Sequence, residues 1–173
     1  FIPWPNCILP HKMPKWRKPV KAEKSLRSRA LDLLSRGEYS RLQLAQKLAK
    51  HSEDEAEISA LLDDLAERGW QSDERYAEVL IHSKSQRLGN RRLQQELQQK
   101  GVDAELFQEA LPSREAQLQT AMEVLIKKFK IYQDDAACKA KYMRFLAYRG
   151  FDMGTIHDAI TQWRQQDDAD AMF

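Results

Sequence analysis

The sequence predicts an all-α protein in which three tandem three-helix repeats form an elongated, curved array. Apolar residues recur at helical i, i+3, i+4 spacing from Ser25 onward, and no stretch shows the alternation typical of a strand. Residues suited to begin or end a helix divide this region into nine segments. The pattern also returns at a period of 49 residues, which indicates a duplicated module.

The repeat is clearest in three stretches, LAKHSEDEAEISALL at 48–62, LQQKGVDAELFQEAL at 97–111 and LAYRGFDMGTIHDAI at 146–160. The apolar positions that fall in register are Leu48, Leu97 and Leu146; Leu44, Leu93 and Tyr142; Ile58, Phe107 and Ile156; Leu61, Ala110 and Ala159; Leu62, Leu111 and Ile160; and Leu31, Leu80 and Phe129. A unit of about fifty residues buries only a small core. Stacked units therefore share faces and present a long surface that suits binding.

Each helix has residues that suit its first or last position. Side chains that can cap the free N–H groups of a first turn are Ser40, Asp54, Ser72, Asn90, Asp103 and Asp152. Ser40 with Gln43, and Asp54 with Glu57, have the spacing of a capping box. Pro112 suits a helix start. The glycines placed to end a helix in left-handed backbone are Gly37, Gly69, Gly101 and Gly150.

These signals predict helices at 25–36, 40–50, 54–68, 72–87, 90–100, 103–111, 113–130, 135–149 and 152–166. They group into repeat 1 at 25–70, repeat 2 at 71–112 and repeat 3 at 113–166, followed by a C-terminal tail at 167–173. Residues 1–24 hold five of the six prolines without any periodicity, so we expect a disordered N-terminal segment. Met13 within it is a candidate natural start.

Net charge divides unevenly along the chain. Residues 1–24 carry six Lys or Arg against one Glu, which leaves the remaining residues with a net charge of −3. The repeats are therefore not basic in bulk, and bulk charge predicts no general affinity for DNA.

The sequence contains no constellation that we would assign to catalysis, to a cofactor or to a metal. Its four histidines lack metal-ligand spacing, and no glycine-rich phosphate loop or nucleophile elbow occurs. We therefore expect a protein that is not an enzyme and needs no cofactor. We also expect a monomer. No apolar run is long enough to predict a membrane span, and the two cysteines, Cys7 and Cys138, favour a reducing cytoplasm.

Charge also separates between the helices of one repeat. The second and third helices imitate a helix-turn-helix, but the third helices carry mostly Asp and Glu, which DNA phosphates would repel. Basic residues lie instead on the first and second helices of repeats 2 and 3: Lys84, Arg87, Arg91, Arg92, Lys100, Lys127, Lys128, Lys130, Lys139, Lys141, Arg144 and Arg149. This pattern fits a solvated face with helical ion pairs. It fits equally a positive surface for an acidic protein, a DNA backbone or a complex of both.

Three stretches together resemble the RecX family of bacterial regulatory proteins. They are RALDLLSRGEYSRLQLAQKL at 29–48, RGWQSDERYAEVLIHSKSQRLGNRRLQQELQQKGVDAELFQEAL at 68–111 and KYMRFLAYRGFD at 141–152, and the similarity covers about residues 25–165. Two positions depart from the family pattern. Gln43 stands where a glutamate is usual, and Leu88-Gly89-Asn90 stands where an aromatic-glycine-proline turn is frequent.

The resemblance implies a non-enzymatic regulator that binds the RecA recombinase and its filament on single-stranded DNA. Such a regulator inhibits filament growth, ATP hydrolysis and strand exchange. Under this hypothesis the interface residues are Lys84, Arg87, Arg91, Arg92, Lys141, Arg144, Tyr148 and Arg149. The residues alone leave two alternatives open. The basic helices could bind nucleic acid directly, even if weakly, or the array could be a scaffold for another partner.

Overall fold

The computed structural model describes residues 24–170. The predicted disordered segment, except for Lys24, and the candidate start at Met13 lie outside these described residues. Within the described part, the chain forms eight α-helices and one 3₁₀ turn and has no strand, which confirms the all-α class. The elements are α1 Leu26–Leu34, α2 Arg41–Leu48, α3 Glu55–Glu67, α4 Asp73–Lys84, α5 Asn90–Gln99, the 3₁₀ turn Ala104–Leu106, α6 Arg114–Phe129, α7 Ala136–Tyr148 and α8 Met153–Asp170.

Each three-helix unit has a hydrophobic core of its own. The buried side chains are Ala30, Leu44, Leu48, Ile58, Leu62 and Leu65 in the first core; Ala77, Leu80, Ile81, Leu93, Leu97, Val102 and Phe107 in the second; and Ala121, Val124, Leu125, Tyr132, Tyr142, Leu146, Phe151, Ile156, Ala159, Ile160 and Trp163 in the third. Because the three cores remain separate, the units form the predicted tandem array of three-helix repeats and not one merged globule.

The 49-residue repeat is visible in the packing. Leu48, Leu97 and Leu146 are each fully buried, one in each core. For two residues of the aligned apolar columns the prediction of a buried side chain is wrong. Leu31 is 36% exposed on the outer side of α1, where Ala30 occupies the inner side. Ala110 is exposed because it follows a segment that is not an α-helix.

That segment, predicted as a helix at 103–111, is the main error in the fold prediction. It forms only the 3₁₀ turn Ala104–Leu106, and Asp103 accepts no capping hydrogen bond. Pro112 disfavours helical backbone at Leu111. The helix that remains possible between Asp103 and Leu111 is short, and a short helix is only marginally stable by itself. Phe107 is nevertheless 0% exposed. One buried ring therefore supplies the packing that a complete third helix supplies in the other units.

Most of the predicted helix ends are confirmed. The caps that form are Ser40 with Gln43, Asp54, Ser72 and Asp152, and the glycines with positive φ are Gly69, Gly101 and Gly150. Glu57 does not complete a capping box, because its carboxylate accepts from the Ser52 hydroxyl. Gly37 has no positive φ. Helix α8 continues to Asp170 and so includes the first four residues of the predicted tail at 167–173.

The second helices of the three units follow one another head to tail. The N-terminus of α2 meets the C-terminus of α5 at a first seam, where the Ser40 hydroxyl donates to the Lys100 carbonyl over 2.7 Å. The N-terminus of α5 meets the C-terminus of α7 at a second seam, where the Gly89 N–H donates to the Arg149 carbonyl over 2.9 Å. Each seam joins the positive end of one helix dipole to the negative end of another, which is attractive.

Polar side chains complete the first seam. The Asp73 carboxylate accepts from the Arg41 N–H over 2.7 Å, so a residue of unit 2 satisfies a free donor at the start of α2. The Gln71 amide donates to the same carboxylate over 2.8 Å. An ion pair between Arg75 and Glu38, 3.0 Å apart, adds a further link. Hydrogen bonds and an ion pair therefore join units 1 and 2 across the first seam.

Candidate partner-binding surface

The second seam is a direct contact between two stretches of backbone. A Cβ atom at Gly89 would lie 2.3 Å from the carbonyl carbon and oxygen of Gly150 and from the N atom of Phe151. Gly150 itself has φ +87°, which side chains rarely tolerate. The Arg91 N–H also donates to the Gly150 carbonyl over 3.1 Å. Within the Leu88-Gly89-Asn90 turn, glycine at position 89 is therefore the one residue type that allows this contact, because it has no Cβ atom.

Gln117 of α6 fixes the start of α5, a role that sequence reasoning assigned to Asn90. The Gln117 side-chain oxygen accepts from the Asn90 N–H over 2.8 Å, and Gln117 is 4% exposed. The Asn90 amide group instead donates to the Pro112 carbonyl over 2.9 Å. Helix α5 is therefore anchored to unit 3 on two sides, by α6 and by the end of α7.

This anchoring places the arginines at the start of α5 against the end of α7. An open depression of about 440 Å³ lies between them. We call it the Tyr148 depression; its lining residues are Arg91, Arg92, Gln95, Ala147, Tyr148 and Gly150. Tyr148 is 83% exposed. No acidic side chain among residues 24–170 forms an ion pair with Arg91.

A second basic depression lies beside the same seam. We call it the Lys127 depression; its lining residues are Ser83, Gln86, Arg87, Glu123, Val124, Lys127, Lys128 and Arg149. The Arg149 guanidinium donates to the Arg87 carbonyl over 2.9 Å and lies 4.7 Å from the centroid of the Phe145 ring. These two contacts fix the Arg149 side chain. The Arg87 side chain and the two lysines are exposed to solvent.

Lys84 is partly neutralised within the protein. Its ammonium group forms an ion pair with the Glu96 carboxylate of α5. The Arg92 Nε atom also lies 3.8 Å from that carboxylate. A group whose charge is already balanced attracts a partner less strongly. Arg87 and Arg91 are therefore the stronger members of the predicted interface set, and Lys84 is the weakest.

Lys141 and Arg144 lie apart from both depressions. They precede Tyr148 on α7 by two turns and one turn, so the three side chains share one face of the helix. Both basic residues are exposed, and the Arg144 Nε atom donates to the Ala140 carbonyl over 3.3 Å. The structure thus brings together Arg87, Arg91, Arg92, Tyr148 and Arg149, and it extends this cluster along α7 toward Lys141.

The interface predicted from the sequence lacks three contributors to this surface. They are Lys127 and Lys128, which belong to the basic residues of repeat 3, and Gln95. The run IKKFK at 126–130 is a visible signal. What the sequence could not indicate is that the last turn of α6 lies beside Arg87 of the preceding unit.

Residues 24–170 contain neither a membrane-crossing helix nor a cluster of metal ligands. Over residues 24–170, no helix combines the length and apolar character that crossing a membrane requires. The same residues contain no group of three or more His, Cys, Asp or Glu side chains placed to hold a metal ion.

Family models match almost all of the helical region. Residues 27–70 match the first three-helix domain of RecX, residues 72–111 the second and residues 115–160 the third. Regulatory protein RecX of Neisseria meningitidis serogroup C / serotype 2a is 51% identical over 141 residues, which is 82% of this chain and 92% of the relative. Regulatory protein RecX of Chromobacterium violaceum is 45% identical over 137 residues, 79% of this chain and 90% of the relative.

Solved structures show the same fold. A crystal structure of RecX from Lactobacillus salivarius superposes with a TM-score of 0.69 at 22% identity and covers 83% of this chain and 95% of its own. A crystal structure of regulatory protein RecX has a TM-score of 0.70 at 23% identity and covers 79% of this chain and 71% of its own.

Proposed function

This chain belongs to the RecX family of regulatory proteins, and on that premise we propose that it binds the RecA recombinase and the RecA filament on single-stranded DNA in the cytoplasm. Binding inhibits filament growth, ATP hydrolysis and strand exchange. The protein itself performs no chemical step under this proposal. It regulates by occupying a surface that the growing filament needs.

The observation that carries the proposal is the exposed cluster at the second seam. Arginine and tyrosine are the residue types that most often dominate the energy of a protein interface. Arg91 and Tyr148 present such groups on α5 and α7, and Arg87 presents one on the turn between α4 and α5. Backbone contacts at the second seam hold these segments in place. A pre-positioned cluster loses little conformational freedom on binding, so its interaction energy is available for affinity.

The tandem arrangement explains how binding could inhibit a polymer. The three units lie in series with separate cores, and two seams offer surfaces at successive positions along the array. A protein of this form can contact neighbouring subunits of a filament at once. Since a ligand shifts an equilibrium only through its preference for one state, contacts that favour a blocked filament end or a closed groove stop growth without catalysis.

The test is a triple substitution, Arg87→Ala, Arg91→Ala and Arg92→Ala, assayed on RecA's DNA-dependent ATP hydrolysis. Loss of two or more hot-spot side chains is expected to raise the concentration for half-inhibition by about 10- to 100-fold. Alanine at position 92 keeps the Cβ atom that packs against Gly150, so far-ultraviolet circular dichroism should show unchanged helicity.

The matched control removes three positive charges from unit 1, through Arg36→Ala, Lys47→Ala and Lys50→Ala. These side chains are exposed and lie in neither depression of the second seam. The control is expected to inhibit RecA within about twofold of the parent. Equal inhibition by the parent and the Arg87/Arg91/Arg92 variant would remove the cluster from the proposed interface.

Direct binding of nucleic acid is the second candidate, and the Lys127 depression favours it. Three lysine or arginine side chains beside Arg149, against the single acid Glu123, suit a phosphate backbone. Titration with single-stranded DNA in the absence of RecA distinguishes the two. A steep fall of log affinity with log salt concentration, together with tight binding near 0.15 M salt, supports the direct binder. Weak binding with RecA-dependent inhibition supports the RecA regulator.

A further inference from the structure

A groove at the first seam occupies the same place in the repeat as the Tyr148 depression does at the second. This Leu42 groove, of about 600 Å³, lies between α2, α3 and the turn after α5. Three pairs of lining residues are separated by 49 positions, with the first member in the Leu42 groove and the second in the Tyr148 depression. These pairs are Leu42 and Arg91, Gln46 and Gln95, and Gly101 and Gly150. The head-to-tail packing of the second helices therefore creates two equivalent concave sites on one array.

The floor of the Leu42 groove is apolar. On α2, Leu44 and Leu48 face the core, and Leu42 and Ala45 lie on a different stripe that faces the groove. Leu42 is 40% exposed and packs against Gly101 at the edge of unit 2. The equivalent position in unit 2 is Arg91. The same structural site is thus apolar at one seam and cationic at the other.

The rim of the groove is acidic. Glu55, Asp73 and Asp103 line it, and Arg41 is the one cation among its lining residues. The Arg41 guanidinium is already paired with Asp63 over 2.8 Å. Asp73 is engaged by the seam hydrogen bonds, but Glu55 and Asp103 form no ion pair with any residue of the described chain. Two carboxylates therefore remain free to meet a cation.

We propose that the Leu42 groove is a second docking site, and that it takes a protein segment in which an apolar side chain lies beside a lysine or arginine. The apolar side chain covers Leu42 and Ala45, and the cation meets Glu55 and Asp103. This inference rests on the proposed function, because the partner that presents the segment is the RecA filament. Nucleic acid is excluded as the occupant, since its phosphates would meet carboxylates across an apolar floor.

Site-specific photo-crosslinking in the full chain tests the occupant. A benzophenone side chain replaces Gln46 in the Leu42 groove or Gln95 in the Tyr148 depression, both of which are exposed. Each protein is mixed with RecA filaments on single-stranded DNA, irradiated and analysed by peptide mass spectrometry. The expected product at position 46 is a RecA peptide that contains an apolar residue next to Lys or Arg.

The position-95 protein distinguishes failure of the docking site from failure of the proposed function. Suppose that position 95 crosslinks to RecA. The docking site would then be overturned, and the proposed function would stand, if position 46 gave no product, crosslinked only to DNA or crosslinked only to an acidic RecA segment. Absence of RecA crosslinks at both positions would overturn both.

Charge reversal provides an independent measurement. The Glu55→Lys, Asp103→Lys variant is expected to bind the RecA filament about tenfold more weakly than the parent, because two rim carboxylates become repulsive. The matched control, Glu78→Lys with Glu109→Lys, makes the same charge change at exposed positions outside the groove. It should stay within about twofold of the parent. If both variants bind equally, the acidic rim plays no part in docking.

Discussion

The Gly89→Ala substitution tests the backbone contact that positions the arginine cluster. The new Cβ would meet three backbone atoms of Gly150 and Phe151 at 2.3 Å, and none of them can rotate away as a side chain could. Overpacking costs about 1–3 kcal/mol, and two seam hydrogen bonds near 1 kcal/mol each are strained or lost. The lower entropy of the unfolded chain with alanine offsets at most about 1 kcal/mol of this cost. We therefore expect the free energy of unfolding to fall by about 2–4 kcal/mol.

The backbone angles make this test specific. Gly89 has φ −77° and ψ 160°, which alanine adopts without strain. Any loss therefore reports the contact with Gly150 and not the backbone conformation. Gly37→Ala is the matched control, because no atom lies within 4 Å of its added Cβ and its φ is not positive.

Thermal unfolding followed by circular dichroism measures the effect. The expected loss corresponds to a fall of about 5–15 °C in Tm for Gly89→Ala, with less than about 2 °C for Gly37→Ala. Because each unit has its own core, the seam can open before the units unfold, and a broadened transition is expected as well. Inhibition of RecA should also weaken, since Arg91 and Arg92 lose their position against Tyr148. A Gly89→Ala protein as stable as the parent would refute the close contact.

Two further predictions concern the units themselves. Leu97→Ala, at a fully buried core position, should cost about 2–5 kcal/mol in urea unfolding, and a loss below about 1 kcal/mol would show that Leu97 is not core. Hydrogen bonds from the Thr155 hydroxyl and N–H hold the pKa of Asp152 below its ordinary value. The stability this gives is complete above the unfolded pKa, about 3.9, and is lost as pH falls through the lower folded pKa. Asp152→Asn should therefore be less stable than the parent by up to about 1 kcal/mol at pH 7, and the difference should shrink at acid pH; a constant difference contradicts the assignment.

The parts of the fold that the sequence predicted are those decided by local chemistry. Helical spacing identified Leu48, Leu97 and Leu146 as core because each lies on the apolar stripe of its own helix, and that stripe packs within its own unit. The Ser40–Gln43 capping box formed because both hydrogen bonds join residues three positions apart. Such contacts need no knowledge of how the units are arranged.

The seams could not be predicted, because they join residues that only the arrangement of units brings together. Gln117 reaches Asn90 across 27 positions, and the Arg149 side chain reaches Arg87 across 62. The sequence marked Asn90 as a cap from its residue type alone. In the folded chain a buried glutamine of the next unit already accepts from the Asn90 N–H, so the asparagine side chain bonds elsewhere.

The internal repeat nevertheless offers a way to find such surfaces. Packing requires the core columns to stay apolar in every copy, as Leu44, Leu93 and Tyr142 do. A position at a seam faces solvent and is free of that requirement, so copies can acquire different chemistry there. A column that changes charge between copies while its neighbours stay apolar is therefore a candidate binding surface. The column that begins with Leu42 and continues with Arg91 meets this description, because Leu44 and Leu93, two residues further on, are both fully buried.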